Sequence, residues 1–200
     1  MTQDLLSRLV MAIDRRQRQR LGIWEFSQDP DCIFRLRIAS AHIGADLADG
    51  TVVRPGDTIG EIHAWNERVP HIPPDGPGLA WAKRFRRVFV HSFRLMARHI
   101  VENAALADIQ AFGGELPFVY TPASTRLLRR MGLEVFDPTP PDGLAERATD
   151  LGARLWSWLL RRAFNPASVR GLRPSDIERR PTWISRRTLI ALHGSDDKPQ

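Results

Sequence analysis

The chain holds a single cysteine, Cys32, among its 200 residues. An internal disulfide is therefore excluded, and the cysteine content points to no oxidising compartment. No apolar run approaches the roughly 20 residues that a membrane-spanning helix needs, so the chain is not expected to cross a bilayer. At the start, Asp4 precedes a short apolar stretch and the cluster Arg15-Arg16-Gln17-Arg18-Gln19-Arg20 follows it. That is the reverse order of a secretory signal, and cytoplasmic residence is the expectation. Lysine is nearly absent: only Lys83 and Lys198 interrupt the arginines that make up the net charge of +6. His42, His63, His71 and His91 recur at no ligand-like spacing, so no metal site is expected. There is no glycine-flanked serine elbow of the hydrolase kind. Nor is there a helix-turn-helix or aromatic-basic signature, and no nucleic-acid partner is expected.

What is present suits one globular domain. Hydrophobic residues make up 42% and charged residues 26%, enough to bury a sizeable core beside a well-solvated surface. The arginine excess favours phosphates and anionic lipid as partners.

Periodicity predicts an N-terminal amphipathic helix within residues 1–24, with Leu6, Val10 and Ile13 on one face. Residues 32–39 alternate as a strand, with Phe34, Leu36 and Ile38 expected to face the core and Arg35 and Arg37 to face away. After the Asp49-Gly50 turn, Thr51–Val53 forms a short strand, and Pro55-Gly56-Asp57 turns into a third, giving an antiparallel meander. The loop from Pro70 to Gly78 is too rich in proline and glycine to be regular. A long helix follows over about residues 79–103. Steps of about 100° put Trp81, Phe85, Val88, Phe89, Leu95, Met96 and Ile100 on one arc, with Ser92 and His99 among them. Lys83, Arg84, Arg86, Arg87, His91, Arg94 and Arg98 fall on the opposite arc.

Asp108–Phe112 reads as a strand ending at Gly113-Gly114, and Thr121-Pro122 starts a helix that stops at Gly132. Leu133–Phe136 is expected to be the last strand of a mixed α/β core spanning 25–138. In outline, a meander continues into a strand-helix-strand-helix-strand sheet. A proline-rich linker and a C-terminal helical extension are expected over 139–193, including a tryptophan-rich helix at 144–164 and a helix starting at Ser185. Residues 194–200 are expected to be disordered.

The chemistry concentrates in Thr58–Asn66. Alternation places Ile59, Glu61, His63 and Trp65 on one face, with Asn66 at the end. An acid, an imidazole and a carboxamide at one strand end are candidates for proton transfer. Equally, His63 and Asn66 could tie the following loop down through its backbone. Arg35, Arg37, Arg84, Arg87 and Arg94 are candidate anion-binding residues, because guanidinium forks match phosphate and carboxylate.

The order Ile33-Phe34-Arg35-Leu36-Arg37, Asp49-Gly50-Thr51, Gly56-Asp57…His63…Asn66, Gly132-Leu133-Glu134-Val135-Phe136-Asp137 and Trp183-Ile184-Ser185-Arg186 resembles the YkoP-like domain of bacteria. That resemblance implies an envelope context, since the family tends to occur beside or fused to polysaccharide deacetylases and other envelope enzymes. Anionic lipid, a phosphorylated sugar or lipid, and the inner membrane surface would be fitting partners. More distantly, the layout is similar to the second half of the acyl-CoA-dependent N-acetyltransferase fold. That similarity implies coenzyme A or an acyl-CoA as cofactor, Glu61 or His63 as general base, and Gly76 and Gly78 as a phosphate loop. The loop departs from that pattern. Pro73 stands at its basic position, and Pro77, between the glycines, has no N–H to give a phosphate.

Overall fold

The computed structural model describes residues 5–118 and 120–194. In chain order the elements are α1 (Leu5–Leu21), β1 (Phe34–Ser40), β2 (Ala45–Asp46), β3 (Val52–Val53), β4 (Thr58–Ala64) and α2 (Leu79–Glu102). Then come β5 (Ala111–Phe118), α3 (Pro122–Arg130), β6 (Glu134–Val135), α4 (Gly143–Phe164), β7 (Glu178–Ser185) and α5 (Arg186–His193). Five strands form one mixed sheet in the order β1-β4-β5-β7-β6, in which only β4 and β5 pair in parallel. The mixed α/β class is the one expected from the sequence.

Three details differ from expectation. First, β1 pairs with β4 along its whole length, from Phe34 opposite Ala64 to Ser40 opposite Thr58. The meander's middle strand is therefore displaced, and β3 pairs with β2 in a separate ribbon. Second, β6 is not the last strand of the core. β7, from the stretch expected to be a helical extension, inserts between β5 and β6 and buries Thr182, Trp183, Ile184 and Ser185. The core thus includes residues beyond the boundary expected at 138. Third, β5 starts at Ala111 and runs through Gly113-Gly114 instead of stopping there. A Cβ on Gly113 would lie 2.2 Å from the Thr182 carbonyl oxygen, so glycine is what lets β7 approach.

One face of the sheet carries the main core. Phe34, Leu36, Ile62, Phe112 and Ile184 meet Phe89, Phe93, Met96 and Ile100 of α2, with Leu128 of α3 and Leu189 of α5 closing the layer. Phe93, 1% exposed, belongs to this arc although the periodicity reading left it out. Ser92 is satisfied within the core. Its hydroxyl accepts from the Ile33 N–H at 2.8 Å and donates to the Val88 carbonyl at 2.7 Å. His99 lies against the Phe26 ring, and burial lowers its pKa.

The helix termini follow local rules. Thr121 and Ser124 form a reciprocal capping box on α3, and the Ser185 hydroxyl caps α5 by accepting from the Thr188 N–H. The tryptophan-rich α4 docks on α1, joining Ala163, Phe164, Trp156, Leu159 and Leu160 to Val10 and Met11. Of the tail expected to be disordered, residues 195–200 lie outside the described residues, as do residues 1–4.

Candidate functional site

Ile62 turns into the core, so its neighbours Glu61 and His63 emerge on the opposite face of the sheet. Antiparallel register then sets Arg37 directly across from Glu61 and Arg35 across from His63. Arg37 Nε donates to Glu61 Oε2 at 2.7 Å, and Arg37 Nη2 binds the same oxygen. His63 Nε2 lies 3.4 Å from that oxygen as well. Burial alone would raise the Glu61 carboxyl, but the imidazole and the guanidinium outweigh it and hold its pKa at about 2. Glu61 is therefore a permanent carboxylate at neutral pH and a poor proton acceptor. In any proton transfer here, His63 would be the base and Glu61 its orienting partner.

Beside Glu61 the backbone of β5 makes room. Gly114 has φ +143°, and a Cβ on it would come within 3.3 Å of Glu61 Cγ. A small cavity of about 100 Å³ opens there, lined by Glu61, Glu115, Arg179, Pro181 and Trp183 among others. Arg179 and Glu115 face one another at 2.8 Å. The Trp183 indole nitrogen is buried without a hydrogen-bond partner among the described residues.

Arg35 lies on the face away from the main core, as expected, but it reaches neither solvent nor an open groove. It is 3% exposed, stacked with its guanidinium carbon 4.3 Å from the Trp65 ring centre, and paired with Glu25 at 3.0 Å and Glu67 at 3.3 Å. Arg18 of α1 reaches the same Glu67 at 3.0 Å and Asp14 at 3.1 Å. Burial raises the Asp14 carboxyl even though Arg18 opposes it. Ile38, expected in the core, is 47% exposed. The reason is common to both departures. Alternation assigns side chains to faces, but what covers each face comes from elsewhere in the chain.

The other candidates are dispersed. Asn66 makes no hydrogen bond to Glu61 or His63 among the described residues. Nor do His63 and Asn66 tie down the loop after β4. Trp81 Nε1 and Asn165 Nδ2 both donate to the Pro70 carbonyl, and Asn165 Oδ1 accepts from the Ile72 N–H. The expected phosphate loop spends its amides internally, with the Gly76 N–H on the Pro73 carbonyl and the Gly78 N–H on the Gly76 carbonyl. Arg84 and Arg87 are exposed on α2 and form no ion pair among the described residues. Arg94, two turns along the helix from Arg87, is half-buried and acts on His193, whose pKa burial lowers.

Sequence reasoning missed Asp14, Arg18, Glu25 and Glu67, the partners that neutralise this face, and Glu115, Arg179 and Trp183, which line the cavity. Three carried a local signal: Glu67 stands one residue beyond the Asn66 that closes the motif, Arg18 lies in the N-terminal basic cluster, and Trp183 opens the Trp183-Ile184-Ser185-Arg186 motif. Among the described residues no group of three or more metal-ligating side chains converges, and no helix is long and apolar enough to cross a membrane.

No curated protein and no solved structure gave a match. The YkoP domain model, by contrast, matches residues 4–193. That span runs from α1 to the end of α5 and takes in the late strand β7, so the two layers and the ionic face are matched as one unit and the chain belongs to the YkoP domain family.

Proposed function

We propose that this protein serves bacterial envelope metabolism by binding an anionic, phosphorylated ligand, a sugar phosphate or a lipid phosphate, on the arginine face of α2. The observation that carries the reading is the segregation of charge. On the sheet's ionic face Arg35 and Arg37 are already paired with carboxylates, whereas Arg84 and Arg87 of α2 are exposed and form no ion pair among the described residues. Arg84 and Arg87 stand three residues apart and so share a helix face. Guanidinium forks at that spacing suit phosphate oxygens. The envelope context is what family membership suggests, given its association with polysaccharide deacetylases, while action from the cytoplasm, at or near the inner membrane, rests on the order of charge and apolar residues at the N-terminus and on the lone cysteine.

A second reading, acyl transfer from an acyl-CoA, is favoured by one observation. β4, α2 and β5 form a parallel crossover, with His63 and Glu61 in its first strand. In that case His63 would take the amine proton, and coenzyme A would have to be held without the Gly76 and Gly78 amides.

One experiment addresses both readings. Thermal unfolding is followed with glucosamine phosphate, coenzyme A and inorganic phosphate, and binding to phosphatidylglycerol vesicles by co-sedimentation, for the wild type and for Arg84→Glu/Arg87→Glu. The double variant is expected to fold within about 0.5 kcal/mol of the wild type, both positions being exposed, and to lose both sugar-phosphate stabilisation and vesicle binding. Undiminished binding by the variant, or no binding by the wild type, overturns the first reading. Stabilisation specific to coenzyme A that survives salt would establish the second, and a response matched by inorganic phosphate would remove it.

A further inference from the structure

Where α1, the C-terminal end of α4 and the loop from Pro70 meet, the structure holds an open groove of about 1200 Å³. Neither Glu61 nor His63 lines it, and no residue of α2 does, so it is separate from both sites above. Its walls are built by satisfied hydrogen bonds. The buried Asn165 fixes one wall by bonding Pro70 and Ile72, and Arg170 Nη1 donates to the Pro74 carbonyl. Trp158 Nε1 donates to the Leu172 carbonyl at 2.9 Å, which spends the polar atom of the indole and leaves an apolar ring as lining.

Met11, Trp158 and Phe164 supply an apolar lining, while Arg162, Arg170 and His71 supply the basic groups. Arg162 lies 6.0 Å from the Trp158 ring centre, and Arg170 and His71 are exposed. One carboxylate, Glu67, also lines the groove, but it faces Arg18 and Arg35 and brings no net negative charge. At this volume the groove exceeds the roughly 300–1000 Å³ usual for compact small-molecule sites. An open, apolar-lined, cationic groove of this size suits a flexible chain with a charged end better than a compact polar metabolite.

We propose that the groove binds a single-chain anionic amphiphile. The chain lies along Met11, Trp158 and Phe164, where burial of its methylenes drives association. The phosphate or carboxylate head is held by Arg162 and Arg170.

The test titrates the full-length protein by calorimetry with dodecyl phosphate and with dodecanoate, each below its micelle concentration. Dodecyl maltoside serves as the uncharged-head control and inorganic phosphate as the chainless one. In parallel, tryptophan fluorescence is quenched with an omega-brominated dodecanoate in the wild type and in Trp158→Phe. The expected result is saturable one-to-one binding of an anionic amphiphile, weakened about tenfold by Arg162→Gln or Arg170→Gln, the loss of one charge-assisted bond. Most of the quenching should disappear in Trp158→Phe. The two anionic heads tell phosphate recognition from carboxylate recognition. The proposal is overturned if the maltoside binds as tightly, if inorganic phosphate competes as well as the amphiphiles, if quenching persists in Trp158→Phe, or if nothing binds. Should Trp158→Phe fail to fold by circular dichroism, Arg162→Gln, at an exposed position, decides the question alone.

Discussion

The two faces of the sheet are made from alternate residues of the same strands, yet one is dry throughout, while the other is ionic around Arg35, Arg37 and Glu61 and apolar only where Ile59, Ala111 and Trp183 meet Leu47 and Val53. On the α2 side, Phe34, Leu36 and Ile62 meet a continuous layer of phenylalanine, methionine and isoleucine. On the other side, Arg37 and His63 meet Glu61, while Arg35 meets Glu25 and Glu67, the latter also bound by Arg18. The dry face stabilises through buried area and dense packing, which are non-directional. The ionic face tolerates burial only because each charge finds a partner, and such pairing specifies an arrangement more than it adds stability. Charges spent on each other are also withdrawn from recognition. For this reason the phosphate proposal rests on Arg84 and Arg87 of α2, which form no ion pair among the described residues.

The comparison can be broken most directly at Phe93, which has almost no exposed surface. Phe93→Ala should cost about 3–5 kcal/mol in urea denaturation, the transfer and cavity terms together. Arg35→Met keeps a long side chain against Trp65 but removes both ion pairs. Glu25 and Glu67 are 39% and 38% exposed at their side chains and can hydrate, so a smaller loss of ~2–3 kcal/mol is expected. If Arg35→Met cost as much as Phe93→Ala, the ion pairs around Arg35 would have to be counted with the core.

The smallest effect is the one specific to pH. The Glu61 carboxyl has a folded pKa of about 2, below its ordinary value of 4.5. Its contribution is therefore fully present above about pH 4.5 and is lost as pH falls through the interval down to about 2. Urea midpoints measured across that range should reveal ~1–2 kcal/mol of acid-dependent loss. Glu61→Gln should flatten that part of the profile, and an unchanged profile would show that the Arg37 and His63 contacts do not stabilise the carboxylate.

Much of this architecture was legible. The helical period of α2, the Thr121-Pro122 start, the Ser185 cap and the shared face of Glu61 and His63 all follow from residues a few positions apart. β7 was hidden because its first half, Glu178-Arg179-Arg180-Pro181, reads as a polar, proline-broken segment. Only a neighbour on each side makes it an interior strand. The Gly76 and Gly78 amides differ: their acceptors, the Pro73 and Gly76 carbonyls, stand in the same loop, so local turns take the bonds that a phosphate would need.

The sequence by itself determined the periodicities, the turns and caps, the surplus of arginine and the absence of any span able to cross a membrane as a helix. These are properties of near neighbours along the chain and of composition. Tertiary structure alone decided that Arg37 meets Glu61, 24 residues away, and that Arg35 is buried between Glu25 and Glu67. Those pairings depend on strand register and on which segment covers which face. A slip of one residue in register would send every side chain of the strand to the opposite face.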